Sequence, residues 1–233
     1  MKRKDYERTT MKQYLNNIRM LAALLMAGAA FAACSNKDDS INPTPDKTYT
    51  IATNAVAGDV GKLICTVGHI HAYGVDAECT AARVAMIAYV GGDTGNKTYN
   101  HGLAIALEDV SPNTLSWDNS GTNNNGKTAA EWCDAWNTIK PVTVGAWTLP
   151  DEYQWENMLE EISYIYYYDV LNKNIVSAGG TPLQLEYDYW SSTENGENNE
   201  RAVRWKINEN SNVATPSSPY KTKTYHVRAC LAF

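Results

Sequence analysis

The last forty-five residues, Tyr189 to Phe233, place the tightest limits on what this chain can fold into. They open with Tyr189-Trp190-Ser191-Ser192-Thr193-Glu194 and close with Val227-Arg228-Ala229-Cys230-Leu231-Ala232-Phe233. In the closing segment Tyr225, Val227, Ala229, Leu231 and Phe233 alternate with His226, Arg228, Cys230 and Ala232, the period of two expected of a half-buried strand. Between these core-like ends lie residues 195–224, dominated by Asn, Glu, Ser, Thr, Lys and Pro. A polar, turn-rich insert held between two core strands is where a rigid scaffold carries a ligand-contacting surface, and a plain solvated loop is the alternative.

The opening Trp190-Ser191-Ser192-Thr193, the closing Val227-Arg228 and an upstream Trp147-Thr148-Leu149-Pro150 resemble the signature of bacterial C-type-lectin-like domains. That signature reads Trp-Arg-Leu-Pro, then Tyr-Trp-Ser-Ser-Thr, then Val-Arg. Here Thr148 stands where the first motif usually has Arg. The ending Leu231-Ala232-Phe233 is similar to one branch, the variable proteins of diversity-generating retroelements. The resemblance covers residues 58–233 and implies an α+β, C-type-lectin-like fold with two helices packed on a loop-rich, mostly antiparallel sheet. It also implies that the segment between the Trp-Ser-Ser and Val-Arg motifs is the ligand-binding face, diversified in that branch.

The same family pattern places Val203, Trp205 and Ile207 in the core, so that Arg204, Lys206 and Asn208 point outward. With Asn195, Glu197, Asn198, Asn199, Tyr220, Lys221 and Lys223 these residues make the candidate ligand-binding face. Tyr225 belongs either to that face or to the core alternation. Tyr gives contact area and Asn gives adaptable hydrogen bonds, as in a paratope.

The start of the chain carries different information. Lys2, Arg3, Lys4, Arg8, Lys12 and Arg19 precede the apolar run 20–33, which small residues end before Cys34. That run is too short to span a bilayer and reads as a secretory signal. Cys34, directly after Ala32-Ala33, fits a lipoprotein processing site whose thiol is acylated. Met11 is an alternative start that leaves a signal of ordinary length. Residues 1–33 are therefore expected to be a lipoprotein signal peptide, 34–50 a lipid anchor and flexible tether with Pro43 and Pro45, and 51–233 the C-type-lectin-like domain. Ser35-Asn36-Lys37-Asp38-Asp39-Ser40 resembles the Lys-Asp-Asp export signal of lipoproteins from Gram-negative anaerobes, which implies an outer-membrane, surface-exposed location.

After residue 33 there remain 14 basic and 24 acidic side chains, a net charge of −10. An acidic chain without a basic patch argues against nucleic acid and against electrostatic docking on anionic lipid. Cys65, Cys79, Cys133 and Cys230 form an even set, which in an exported chain suggests two disulfides with three possible pairings. The resemblance implies Cys133 with Cys230, leaving Cys65 with Cys79. Ala229 sits where related domains often place that last cysteine, and a one-residue shift turns a strand side chain to the other face.

In the body, residues 59–67 read as a first strand, and Val84–Val90 with Leu103–Leu107 as a long-looped hairpin at the middle of the sheet. One helix begins with a capping box, Thr128 and Glu131, and stacks Ala129, Trp132, Cys133 and Trp136. A second begins at Asp151 with Gln154 three residues on, stacking Trp155, Met158, Leu159 and Ile162. Ile165-Tyr166-Tyr167-Tyr168 continues that helix or starts a strand.

Chemistry is sparsely marked. His69 and His71 are two apart, but two ligands alone do not make a metal site, so no metal and no cofactor is expected. Asp118–Asn125 lacks an EF-hand pattern and the Glu-Pro-Asn and Trp-Asn-Asp pairs of calcium-dependent sugar-binding lectins. Ser191 and Ser192 are outside a Gly-x-Ser-x-Gly elbow, and His226 has no acid at a recognised spacing. Cys230 stands alone, unlike the paired cysteines of formylglycine-generating enzymes. The expectation is a surface lipoprotein, not an enzyme, that binds an unidentified protein or glycan and meets the membrane through its lipid. A subunit of a cell-surface assembly is the alternative, and a formylglycine-generating-like enzyme comes third.

Overall fold

The two apolar runs flanking the Gly-rich segment at 91–101 become the middle strands of a six-stranded sheet, because branched and small residues bounded by glycine favour extended backbone. In the computed structural model of the chain these are β3 (Arg83–Val90) and β4 (Gly102–Ala106), paired antiparallel with Met86 opposite Ile105. The structure describes residues 49–72, 79–162, 172–184, 186–207 and 214–233, all within one compact unit, Lys47–Phe233. The signal segment, Cys34, the tether up to residue 48, Ile165–Tyr168 and Asn208 lie outside the described residues.

The other strands are β1 (Leu63–Cys65), β2 (Ile70–His71), β5 (Leu115–Ser116), β6 (Ala146–Thr148), β7 (Asp188–Glu194), β8 (Ala202–Ile207), β9 (Ala214–Ser217), β10 (Thr224–Tyr225) and β11 (Cys230–Ala232). The large sheet runs β2-β1-β3-β4-β11-β6. A three-stranded sheet runs β7-β8-β9, and β5 pairs with β10. Every pairing between these strands is antiparallel. The first strand is shorter than its sequence pattern. Ala57–Asp59 forms a 3-10 turn in which Asp59 Oδ2 accepts from Val56 N–H at 2.8 Å and Oδ1 holds Lys62 Nζ at 2.6 Å, so extended pairing starts at Leu63.

The helices are α1 (Ala129–Asp134), α2 (Trp136–Ile139) and α3 (Glu152–Ile162); residues 172–177 are also helical. Both capping boxes form. Thr128 Oγ1 accepts from Glu131 N–H at 3.2 Å and Glu131 Oε2 accepts from Thr128 N–H at 2.7 Å. Asp151 and Gln154 exchange the same pair of bonds at 2.7 and 2.8 Å. Each satisfies two amide donors that a helix start leaves orphaned. Among the described residues no helix is long and apolar enough to cross a membrane.

Strand alternation feeds two separate apolar layers. Ile64, Ala85, Ile87, Ala104 and Leu231 pack with Ala129, Cys133, Trp136 and Trp147. Leu63, Met86, Leu103, Ile105 and Cys230 pack with Trp155, Met158 and Leu159. The helices thus cover opposite faces of the large sheet, a mixed α+β arrangement. The half-buried pattern expected for the closing strand is corrected here. Residues from Val227 to Phe233 are buried throughout, because β11 lies between β4 and β6 with a layer on each side.

Candidate functional site

The expected recognition face sits on β7-β8-β9, where cross-strand partners share a side of the sheet. Register pairs Tyr189 with Trp205, Trp190 with Arg204 and Asp188 with Lys206. Val203, Trp205 and Ile207 are buried while Arg204 and Lys206 are partly exposed, the alternation that β8 requires. Their charges are met within the chain. Arg204 Nη1 bonds the Asp188 carboxylate, and Lys206 Nζ lies 2.6 Å from Glu186 Oε2.

A second part of the face comes from the segment that returns from β9. Tyr220 is 45% exposed, and the Arg201 guanidinium lies 4.2 Å over its ring, held by a 2.8 Å bond from Nη1 to Ser218 O. Lys221 sits between Glu194 Oε2 at 2.9 Å and the Trp117 ring at 4.3 Å. Lys223, Glu197 and Asn199 are exposed. Asn195 and Asn198 shape the β7–β8 connection. Asn195 Oδ1 accepts from the N–H groups of Glu197 and Asn198, and Asn198 Oδ1 accepts from Glu200 N–H, so these carbonyls make turns. Tyr225 is half-buried with its ring 4.8 Å from Trp190. Burial, then the Asp188 charge, push its hydroxyl above the usual tyrosine value against the opposing pull of Arg204.

The face stands on a rigid base. Trp190 is fully buried and its Nε1 donates to Leu115 O at 2.8 Å, while Trp117 Nε1 donates to Ser191 O at 2.7 Å. Trp155 Nε1 donates to Trp190 O at 3.1 Å. Arg228, expected on the outward side of its strand, is fully buried. It bonds Asp109 Oδ1, Ala106 O and Thr181 O. The same carboxylate holds His226 Nδ1 at 2.8 Å, and the Tyr187 ring stacks on His226. His226 therefore does have an acid partner, 117 residues away in sequence, which no local spacing could mark. Ser191 is fully buried.

The Asp118–Asn125 loop is knitted to itself. Asn124 is fully buried, its Nδ2 donating to Ser116 O, Asp118 O and Lys127 O and its Oδ1 accepting from Ser116 N–H. Burial raises the Asp118 carboxyl, but hydrogen bonds from Ser120 and Ser116 outweigh that and hold it below its ordinary value.

The four cysteines among the described residues, Cys65, Cys79, Cys133 and Cys230, are free and buried, so neither expected disulfide is formed. Cys230 lies 3.5 Å from Thr148 Oγ1 and 3.7 Å from Gln154 Oε1 on the α3 side of the sheet, whereas Cys133 packs in the opposite layer. The residue inserted by Ala229 has this consequence. Burial pushes the Cys230 thiol up to about 12 and the Cys133 thiol well above its usual value. The Cys65 and Cys79 sulfurs approach to 3.9 Å.

A grouping that the sequence reading kept apart surrounds that last pair. The donor atoms of Cys65, His69, His71 and Cys79 all lie within 4.8 Å of one another. The sequence pairs two of them as an expected disulfide and leaves two as an isolated histidine pair; the signal that links them is the combined spacing Cys-x3-His-x-His-x7-Cys. No family model and no curated protein matches the chain.

Proposed function

We propose that this chain is a C-type-lectin-like binding module, displayed on the outer membrane through a lipid on Cys34, which recognises a protein or glycan without chemistry. The order of the Trp-Thr-Leu-Pro, Trp-Ser-Ser-Thr and Val-Arg motifs supports it, as does the placing of an excursion between β7 and β11. The observation that carries the reading is the Tyr220–Arg201 pair. A large aromatic ring is 45% exposed and pinned by a cation, beside a polar sheet whose other side packs Tyr189, Val203 and Trp205 into the core. A rigid amphipathic ring presents contact area at low entropic cost. The full burial of Cys230 speaks against the formylglycine-generating alternative, which needs an accessible thiol there.

The test is binding of the full chain to arrayed surface glycans and exported proteins, compared with Tyr220→Ala and Lys223→Ala. The expected result is a bound species whose affinity falls at least tenfold in Tyr220→Ala at an unchanged melting temperature. Binding indifferent to both substitutions would remove this face from the proposal, and stable stoichiometric assembly with other exported proteins would favour the structural-subunit reading.

A further inference from the structure

We infer that Cys65, His69, His71 and Cys79 form a closed tetrahedral site for a zinc-class divalent cation. The donor set is two sulfurs and two imidazoles, the composition of structural zinc sites and a poor match to calcium or magnesium, which take oxygen. A tetrahedral ion with bonds of about 2.3 Å to sulfur separates two thiolates by roughly 3.8 Å. The observed Sγ to Sγ distance is 3.9 Å, far from the ~2.05 Å of a disulfide.

The local backbone builds this geometry. Cys65 ends β1 and His71 lies on β2, with Leu63 opposite His71 and Ile64 opposite Ile70. The connecting turn is closed by Gly68 N–H to Cys65 O at 2.8 Å and Cys65 N–H to His69 O at 3.1 Å. Gly68 has a φ of +82°, and a Cβ there would meet Val144 Cγ1 at 2.3 Å, so the turn demands glycine. His69 and His71, two residues apart, share one side of the hairpin. Cys79 lies in the irregular segment that leads into β3.

Groups behind the donors match what a metal-thiolate site needs. Arg83 Nη1 lies 3.9 Å from Cys79 Sγ and fixes Cys79 O and Ala81 O at 3.3 and 2.6 Å. Such outer contacts orient the ligands and stabilise the thiolate form. His69 Nδ1 is buried with no hydrogen-bond partner among the described residues, which a coordinated ion would explain. Tyr49 covers the histidines, its ring 5.0 Å from His69 and 4.9 Å from His71. Four protein donors leave no open position, so the ion's role is structural: it ties the β1–β2 hairpin to the start of β3.

The deciding experiment uses the full chain, purified under reducing conditions without chelators. Zinc is counted by elemental analysis, and the metal-stripped protein is titrated with cobalt(II). One zinc per chain is expected, with cobalt giving thiolate charge-transfer absorption and tetrahedral visible bands. Cys79→Ser and His71→Asn are expected to lose the zinc, while Cys133→Ala keeps it. A wild-type chain with no zinc and no thiolate-cobalt band overturns the inference, and this readout does not depend on whether any variant folds. So does a Cys65–Cys79 disulfide whose reduction fails to restore zinc uptake, or zinc that persists in folded Cys79→Ser.

Discussion

Arg228 Nε donates to Asp109 Oδ1 at 2.6 Å across 119 residues of sequence, with the arginine wholly buried. The guanidinium also reaches Ala106 O and Thr181 O, so one side chain ties β4, the approach to β7 and the approach to β11. The arginine of the Val-Arg motif is therefore a cross-brace of the scaffold that carries the proposed face, and it is not part of that face.

Asp109→Ala leaves a buried cation without its counter-charge. Breaking such a pair costs about 3–5 kcal/mol, while replacing both members by apolar residues of similar volume costs far less. Urea unfolding of Asp109→Ala, Arg228→Met and the double variant Asp109→Leu/Arg228→Met is expected to show the first as the least stable. Equal losses in all three would deny the brace.

Gly102→Ala tests the packing at the sheet centre. A Cβ on residue 102 would lie 2.5 Å from Phe233 Cζ and 2.6 Å from Tyr89 O. Overpacking of this kind costs about 1–3 kcal/mol. Thermal unfolding should report that loss, and Gly196→Ala, where a Cβ meets nothing within 4 Å, should stay within about 0.5 kcal/mol of the parent.

Cys230 sets an alkaline limit. Burial raises its folded pKa from 9.0 to about 12, helped by the Asp151 charge and opposed by the hydrogen bond with Thr148. A raised folded pKa gives stability that is complete below the unfolded value and is lost as pH climbs from about 9 toward 12. Melting temperature is expected to fall across that window, less steeply in Cys230→Ala. Native Cys230 and Cys133 should also resist iodoacetamide at neutral pH until the chain unfolds. Rapid alkylation of either in the folded protein would contradict their burial.

On the proposed face the three outward side chains should separate by role. Lys206 pairs with Glu186 at the surface, and surface pairs contribute about 0–1 kcal/mol, so Lys206→Ala and Tyr220→Ala are expected to leave stability nearly unchanged. Arg204 is more enclosed, with Nε buried and Nη1 on Asp188. Arg204→Ala exposes Tyr225 and Trp190 to an unpaired Asp188 and should cost more, about 1–2 kcal/mol. Urea midpoints of the three single variants check the ordering.

Local signals in the sequence carried much of this structure. Branched residues bounded by glycines marked β3 and β4, and Thr128 with Glu131 and Asp151 with Gln154 marked both helix starts, because those rules act over three or four residues. The burial of Arg228 was not legible, since period two shows that a strand has two faces but not that both are covered. Nor was the Asp109–His226 contact, which only the tertiary fold creates. The Cys65, His69, His71 and Cys79 group needed the Gly68 turn to bring sequence neighbours into one cluster. On the proposed face, the inward set Val203, Trp205 and Ile207 followed from the resemblance and is buried in the structure, whereas the ion partners of Arg204 and Lys206 lie on another strand or connection.

The excursion between β7 and β11 has an entropic consequence. Its two ends are fastened independently, by Trp190 to Leu115 O and by Arg228 to Ala106 O, and neither anchor involves the β7–β8 connection at 195–200. Loop-closure entropy grows only logarithmically, about 0.6 kcal/mol for each doubling. Residues can therefore be added or exchanged around 195–200 at little thermodynamic cost, and the scaffold can tolerate many different surfaces there.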